Sequence, residues 1–265
     1  MPASTPPVAV ITGSSSGIGR AIALELGRAG YHVVLHARSN LAGLQAVARE
    51  LQSTFPKIPG RVLCLTGDIA SPSTCRGLVH AAFAWQGRVA AWINNAGADV
   101  LTGVARHGSF DEKLQRLFDV DVSGTIRLSR EVAQRMDAAL PQATAPMIIN
   151  LGWDQASLGM EGEAGQLFGT TKAAVAAFTT SLALSYPSLR VNCVAPGWIR
   201  TEWGKTSAAD YWSQRAQSES LAGRWGTAAD VACTVAWLAS PAAQFINGQT
   251  IAVNGGRRFY PMVHP

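Results

Sequence analysis

Seven short, almost wholly apolar runs alternate along this chain with longer stretches of helical periodicity, and that alternation constrains the fold more than any other feature. The runs cover residues 8–12, 32–37, 61–66, 89–94, 147–151, 190–195 and 250–253. They read as continuous hydrophobic segments rather than as alternating polar and apolar positions, the pattern of strands buried on both faces of a parallel sheet. Helical patterns fall between them at 17–29, 41–53, 72–85, 110–140, 168–185 and 231–238. In the first, Ile18, Ile22 and Leu26 recur at i, i+4 and i+8 and form one stripe for packing on a sheet. Strands alternating with helices imply right-handed crossovers. The expectation is an α/β, Rossmann-type doubly wound fold: a seven-stranded parallel sheet with helices on both faces. With 265 residues, 48% of them hydrophobic and 15% charged, and no linker, repeat or low-complexity tract, the whole of 1–265 is expected to form one domain.

Several classes of function are disfavoured. The four cysteines, Cys64, Cys75, Cys193 and Cys233, form no C-x-x-C pair and have no histidine cluster beside them, so no metal site is expected and buried free thiols are the simpler reading. The net charge of +5 comes without a Lys/Arg cluster. It fits ordinary surface charge or attraction to an anionic ligand, and nucleic acid is not expected as a partner. Residues 1–7 lack the basic and apolar regions of a signal peptide, and no uninterrupted apolar run is long enough for a membrane span. A cytoplasmic protein acting on a small molecule is expected.

The run Thr12-Gly13-Ser14-Ser15-Ser16-Gly17-Ile18-Gly19 lies where the first strand turns into the first helix. Glycines there let the backbone turn tightly and approach a pyrophosphate, whose charge meets the helix N-terminus. A glycine-rich turn by itself could be a plain loop; its place between a first strand and an amphipathic helix favours a dinucleotide. The spacing G-x-x-x-G-x-G, with Asp68, Asn94-Asn95-Ala96-Gly97, Pro196-Gly197, Thr201, Arg224-Trp225-Gly226, Asp230-Val231-Ala232 and Asn254-Gly255-Gly256, resembles the short-chain dehydrogenase/reductase family over essentially the whole chain. The resemblance implies a nicotinamide cofactor held by Gly13, Ser15, Ser16, Gly17, Ile18 and Gly19, with Asp68 and Ile69 flanking the adenine. It also implies roles for Asn95, Ala96, Gly97, Lys172, Pro196, Gly197, Ile199 and Thr201, with Asn94 supporting the binding loops. A substrate segment at about 198–225 and a homodimer or homotetramer built on the two long helices and the C-terminal segment are further implications.

The end of the second strand bears on which cofactor is used. It reads Leu35-His36-Ala37-Arg38-Ser39, with no carboxylate for a ribose 2′-hydroxyl and with an arginine suited to a 2′-phosphate. NADP(H) is expected, with Arg38 and Ser39 in contact with it; the alternative for Arg38 is a solvated side chain.

The reaction end departs from the family pattern. Lys172 matches the family lysine, but four residues before it stands Phe168, which has no ionisable proton and cannot act as acid or base. The serine expected after the fifth strand is absent from Leu151-Gly152-Trp153-Asp154, and Asp121 stands where an asparagine is expected. The segment 152–166, about two residues longer than the family norm, carries Trp153, Asp154, Gln155, Glu161 and Glu163. It is either a solvated acidic loop or a source of a substitute acid, Asp154 or Glu161, with Asp154 raised in pKa beside Trp153. Asp121 is expected to pair with Lys172 behind the site. Trp153, Trp198 and Trp203 either pack or wall a pocket for a planar or cyclic substrate, with Gln155 and Phe168 also on the substrate side. Two functions remain open: an NADPH-dependent reductase with an unusual proton donor, and a non-catalytic NADP(H)-binding protein or non-redox enzyme on the same scaffold.

Overall fold

The computed structural model describes residues 6–55, 62–86, 88–140, 145–201 and 209–258. Strand β1 (Val8–Ile11) leads through the glycine turn to helix α1 (Gly17–Arg28), and β2 (His32–Ala37) to α2 (Leu41–Thr54). Then follow β3 (Val62–Thr66), α3 (Pro72–Gln86), β4 (Val89–Asn94), α4 (Phe110–Leu117) and α5 (Thr125–Ala138). β5 (Met147–Leu151), α6 (Gly162–Ser185) and β6 (Arg190–Pro196) complete the central part. After them come β7 (Ile199–Arg200), α7 (Ala209–Glu219), β8 (Gly226–Thr227), α8 (Ala228–Ala239) and β9 (Thr250–Val253).

Seven strands form one sheet in the order β3-β2-β1-β4-β5-β6-β9, every pair parallel. The period of two along a strand divides the core. Ala9 and Ile11 face a layer in which Ile22, Leu26, Leu44 and Val235 come from α1, α2 and α8. Val8 and Val10 face the opposite layer, with Val79, Leu128, Met136 and Leu182 from α3, α5 and α6. Each of these fully buried side chains contributes about 1.5–3 kcal/mol relative to exposure. A polar clip crosses the second layer: Asn94 Nδ2 donates to Ser129 Oγ and Asn150 Oδ1, both at 2.8 Å, and Asn150 Nδ2 donates to Thr179 Oγ1 at 2.9 Å. All four residues are buried, so the hydrogen bonds fix β4, β5, α5 and α6 against one another rather than leaving amides unsatisfied.

The helical stretch at 110–140, open to one helix or two, is two α-helices separated by a π-helical stretch, Phe118–Gly124, which carries Asp121 into the interior. The helix expected from 168 starts six residues earlier, at Gly162, so Glu163 and Gln166 are helical and not part of a loop. Helix α7 and the small β7–β8 pair had no sequence counterpart. Helix α6 is long and apolar enough by composition to cross a membrane. It packs along β5 and β6, the setting of a core helix in an α/β sheet.

Candidate active site

Strand order reverses at β1, which lies between β2 and β4, and in open α/β sheets a crevice forms at the carboxyl ends of the strands at such a point. Two adjoining clefts occupy this edge. The first, about 410 Å³, is lined by Gly13, Ser15 and Ser16 from the glycine turn, Arg38 and Ser39 after β2, and Asp68 and Ile69 after β3; Asn95, Ala96 and Gly97 after β4 close it. Gly13 adopts φ +66°, and a Cβ on Gly19 would lie 2.3 Å from the Gly13 carbonyl oxygen, so these two positions require glycine for the turn and the close approach. The Asn95 side chain donates to the carbonyls of Thr12 (3.0 Å) and Gly13 (2.9 Å), while Thr12 Oγ1 accepts from the N–H groups of Asn95 and Ala96 at 3.0 Å. Asn95 is therefore the side chain that braces the glycine turn; Asn94, expected in that supporting role, belongs to the core clip.

The residues present fit a dinucleotide phosphate. Ser16 is the N-cap of α1, yet its side chain makes no capping bond and the first turn holds no acid, which leaves the helix N-terminus available to an anion. Arg38 is exposed at the cleft wall. Burial raises the Asp68 carboxyl, but the Ala70 N–H, Arg116 at 2.8 Å and the charge of Arg38 outweigh it and hold Asp68 below the usual carboxylate range. Burial lowers the pKa of His36 beneath the cleft, although its Nε2 lies 2.9 Å from the Gly67 carbonyl. Sequence reasoning missed His36, Asn40 and Arg116 on this wall, since only the spatial approach of β2, β3 and α4 brings them together.

The second cleft, about 420 Å³, continues from the first and includes Ile18, Pro196, Gly197, Ile199, Thr201 and Lys172. Gly17 does not line it but faces Thr201, whose Cγ2 would lie 3.7 Å from a Cβ there. Lys172 Nζ lies 2.9 Å from Asp121 Oδ2 and donates to the Leu151 carbonyl at 3.2 Å; Asp121, with its side chain 2% exposed, also accepts from the Ala98 N–H at 2.8 Å. The lysine and the aspartate form the buried pair expected from the sequence. Above them the walls are aromatic. Trp153 and Phe168 meet edge to face with centroids 6.4 Å apart, and Trp198 packs against Trp212 (5.2 Å) and Trp225 (6.1 Å). Trp203 lies outside the described residues. Met160, Trp212, Trp225 and Asp99 also line this cleft; Trp212 and Trp225 fall in the substrate segment that the resemblance implied, while nothing in the local sequence marks Met160 or Asp99.

The acidic segment separates into three fates. Asp154 is buried, and its Oδ2 accepts from Asn254 Nδ2 at 3.0 Å while Oδ1 has no partner; burial pushes its carboxyl up. It does not line the cleft, because it lies beneath Gly197, where a Cβ would stand 3.1 Å from Asp154 Oδ2. Gln155, expected on the substrate side, is 1% exposed and likewise absent from the cleft wall. Glu161 precedes α6 with its side chain 71% exposed and pairs with Arg215, and Glu163 pairs with Lys113 at 2.7 Å. The expectation that Glu161 faces the nicotinamide region is corrected: at the first turn of a helix that begins early, its side chain reaches Arg215 at the surface.

Residues 13–258 match the sequence family described as Enoyl-(Acyl carrier protein) reductase. The 3beta-hydroxysteroid dehydrogenase 1 of Eggerthella lenta is 34% identical over 256 residues, covering 95% of this chain and 94% of that protein. The NADPH-dependent aldehyde reductase 2, chloroplastic, of Arabidopsis thaliana is 33% identical over 267 residues, covering 94% and 93%. A crystal structure of a short chain dehydrogenase from Burkholderia cenocepacia in complex with NADP superposes with a TM-score of 0.81 at 26% identity, over 94% of this chain and 97% of that one. With the switch-point clefts, the braced glycine turn and the lysine paired to a buried aspartate in place, these likenesses establish that the chain belongs to the short-chain dehydrogenase/reductase family of oxidoreductases.

Proposed function

We propose that the protein is an NADPH-dependent reductase of a small planar or cyclic substrate, working without the tyrosine acid of its family. The observation that carries this reading is the coexistence of a cofactor cleft furnished with Arg38 and a buried Lys172–Asp121 pair with an aromatic substrate cleft walled by Phe168 and Trp153. The nicotinamide cofactor, when bound, supplies the hydride. Arg38 and Ser39 bind the adenosine phosphate, the glycine turn takes the pyrophosphate, and Lys172 holds the nicotinamide ribose at the base of the second cleft. The aromatic walls exclude water and orient a flat substrate.

Proton supply is the distinctive part. Asp154 and Glu161 do not line the cleft, and among the described residues that do, Lys172 and Asp99 are the ionisable side chains. A water held by Lys172 is the group available to protonate a reduced product, which suits acceptors that need little acid help, such as imines, iminium ions or conjugated C=C bonds. Two relatives, a hydroxysteroid dehydrogenase and an NADPH-dependent aldehyde reductase, support ring-shaped and carbonyl-like acceptors and the cofactor choice. The outer face of α6, with Leu184 80% exposed, suits burial in a homodimer or homotetramer.

The placement of Asp154 beneath Gly197 and of Glu161 at the surface favours the second reading, a non-catalytic NADP(H)-binding protein. Fluorescence titration with NADPH and NADH, followed by NADPH oxidation with ketones, imines and enones, separates the two. Tight NADPH binding with turnover of at least one acceptor class supports the reductase; tight binding with no turnover across the classes supports the binding protein.

A further inference from the structure

We infer that the substrate cleft is built for a planar cation, a cyclic iminium ion, with Asp99 as the carboxylate that selects its charge. This rests on the reductase reading and narrows it. Two independent observations lead to it. The first is the balance of charge on the cleft wall. Lys172 is neutralised by Asp121 at 2.9 Å, so among the described lining residues the carboxylate of Asp99 is the one charge without an ion-pair partner. Asp99 stands where the two clefts meet, lining both of them. Its Oδ1 accepts from the N–H groups of Leu101 and Thr102, both at 3.0 Å, and Oδ2 from the Thr102 hydroxyl. Asp99 is exposed at the cleft edge, and these bonds fix its carboxylate in place while leaving it acceptor capacity for a cation.

The second observation is chemical. At the position of the reacting bond the wall offers Phe168 and Trp153, neither able to supply a proton. Reduction of a ketone needs a hydride and a proton; reduction of an iminium ion needs the hydride alone. Hydride from NADPH forms the new C–H bond, the C=N π pair withdraws onto nitrogen as a lone pair, and the cation becomes a neutral tertiary amine while NADPH is oxidised to NADP+. No proton enters, so the absence of an acid on the wall costs nothing. The aromatic faces of Trp153 and Phe168, which carry no guanidinium, add cation–π attraction for the substrate, and they release the product once its charge is gone. On Trp198 and Trp212 a guanidinium is already seated, that of Arg215 at 5.6 and 5.9 Å from the ring centroids, and it is paired with Glu161 and Glu219.

The test uses the full chain saturated with NADP+ and follows quenching of the cleft tryptophans by N-methylisoquinolinium and by 2-methylnaphthalene, a neutral molecule of the same shape. The cation is expected to bind about tenfold more tightly, with the preference falling in high salt. Asp99→Asn, which keeps an acceptor for the Leu101 and Thr102 N–H groups, should remove that preference by weakening the cation to the affinity of 2-methylnaphthalene. In turnover, N-methyl-3,4-dihydroisoquinolinium should be reduced in preference to a neutral enone of similar size. Equal affinity for the two probes in the parent, or a preference that survives in Asp99→Asn, overturns the inference. Reduction of neutral enones with none of the iminium also overturns it, and leaves the reductase reading standing; absence of any turnover would instead strike that reading.

Discussion

The two clefts meet at Asn95 and Asp99, yet they record opposite histories of constraint. In the cofactor cleft the residue types follow from backbone physics: a turn at φ +66°, a helix N-terminus left uncapped for an anion, an asparagine that ties the turn to the end of β4. Glycine at these positions meets those demands without strain. The second cleft is set by side-chain chemistry. Here Lys172 and its buried partner lie beside the aromatic rings of Phe168 and Trp153. The fold tolerates this because aromatic rings fill space without asking for hydrogen bonds.

The largest effect is expected at Lys172, which lines the second cleft above Asp121. Lys172→Met leaves Asp121 buried and unpaired, and chemical denaturation should show a loss of about 3–5 kcal/mol. Most of that should return in the double variant Lys172→Met/Asp121→Leu, since the uncompensated charge is then gone. A single variant that matches the parent in stability would mean the pair is solvated and the substrate cleft is not built around it.

Arg38→Ser sharpens the cofactor side. NADPH affinity measured by fluorescence titration should fall about 10–100-fold, the worth of charged hydrogen bonds of roughly 1.5–3 kcal/mol, while NADH affinity changes little. Equal losses for both cofactors would assign Arg38 to the fold rather than to the phosphate.

Asp154 gives a smaller and pH-dependent effect. Its carboxyl is raised by burial, despite the Asn254 hydrogen bond, so the native state holds a proton that the unfolded chain releases near pH 3.9. Stability from this group is therefore present at low pH and lost as pH rises from about 3.9 through the raised native value. Asp154→Asn should be more stable than the parent at neutral pH, by about 1 kcal/mol, and the gap should close in acid. A gap that widens in acid contradicts the burial described for this group. The smallest effect belongs to Glu161→Gln: exposed and paired with Arg215, it should change stability by less than about 1 kcal/mol and leave turnover unaltered.

Much of this architecture was legible because its causes are local. Strands His32–Ala37, Val89–Asn94, Met147–Leu151 and Thr250–Val253 have the limits their apolar runs suggested, whereas the Lys172–Asp121 contact was legible only through the family resemblance. The start of α6 was hidden by its own glycines. Gly162 sits at φ +82°, and a Cβ on Gly165 would meet the Met160 carbonyl at 2.0 Å, so residues that read as loop formers are required by a close approach at a helix start. The burial of Asp154 depends on Asn254, a hundred residues away in sequence, and no local pattern announces such a partner. The same holds for Trp212 and Trp225, which join the substrate wall through the docking of α7 and β8.

Whether hydride transfer at this site proceeds without a side-chain acid is tested most directly by NADPH oxidation with the parent enzyme and with Trp153→Ser/Phe168→Tyr. The parent should reduce activated C=N or C=C acceptors and leave simple ketones untouched, with ketone turnover arising only in the double variant. Reduction of simple ketones by the parent at rates matching those of the activated acceptors would contradict this.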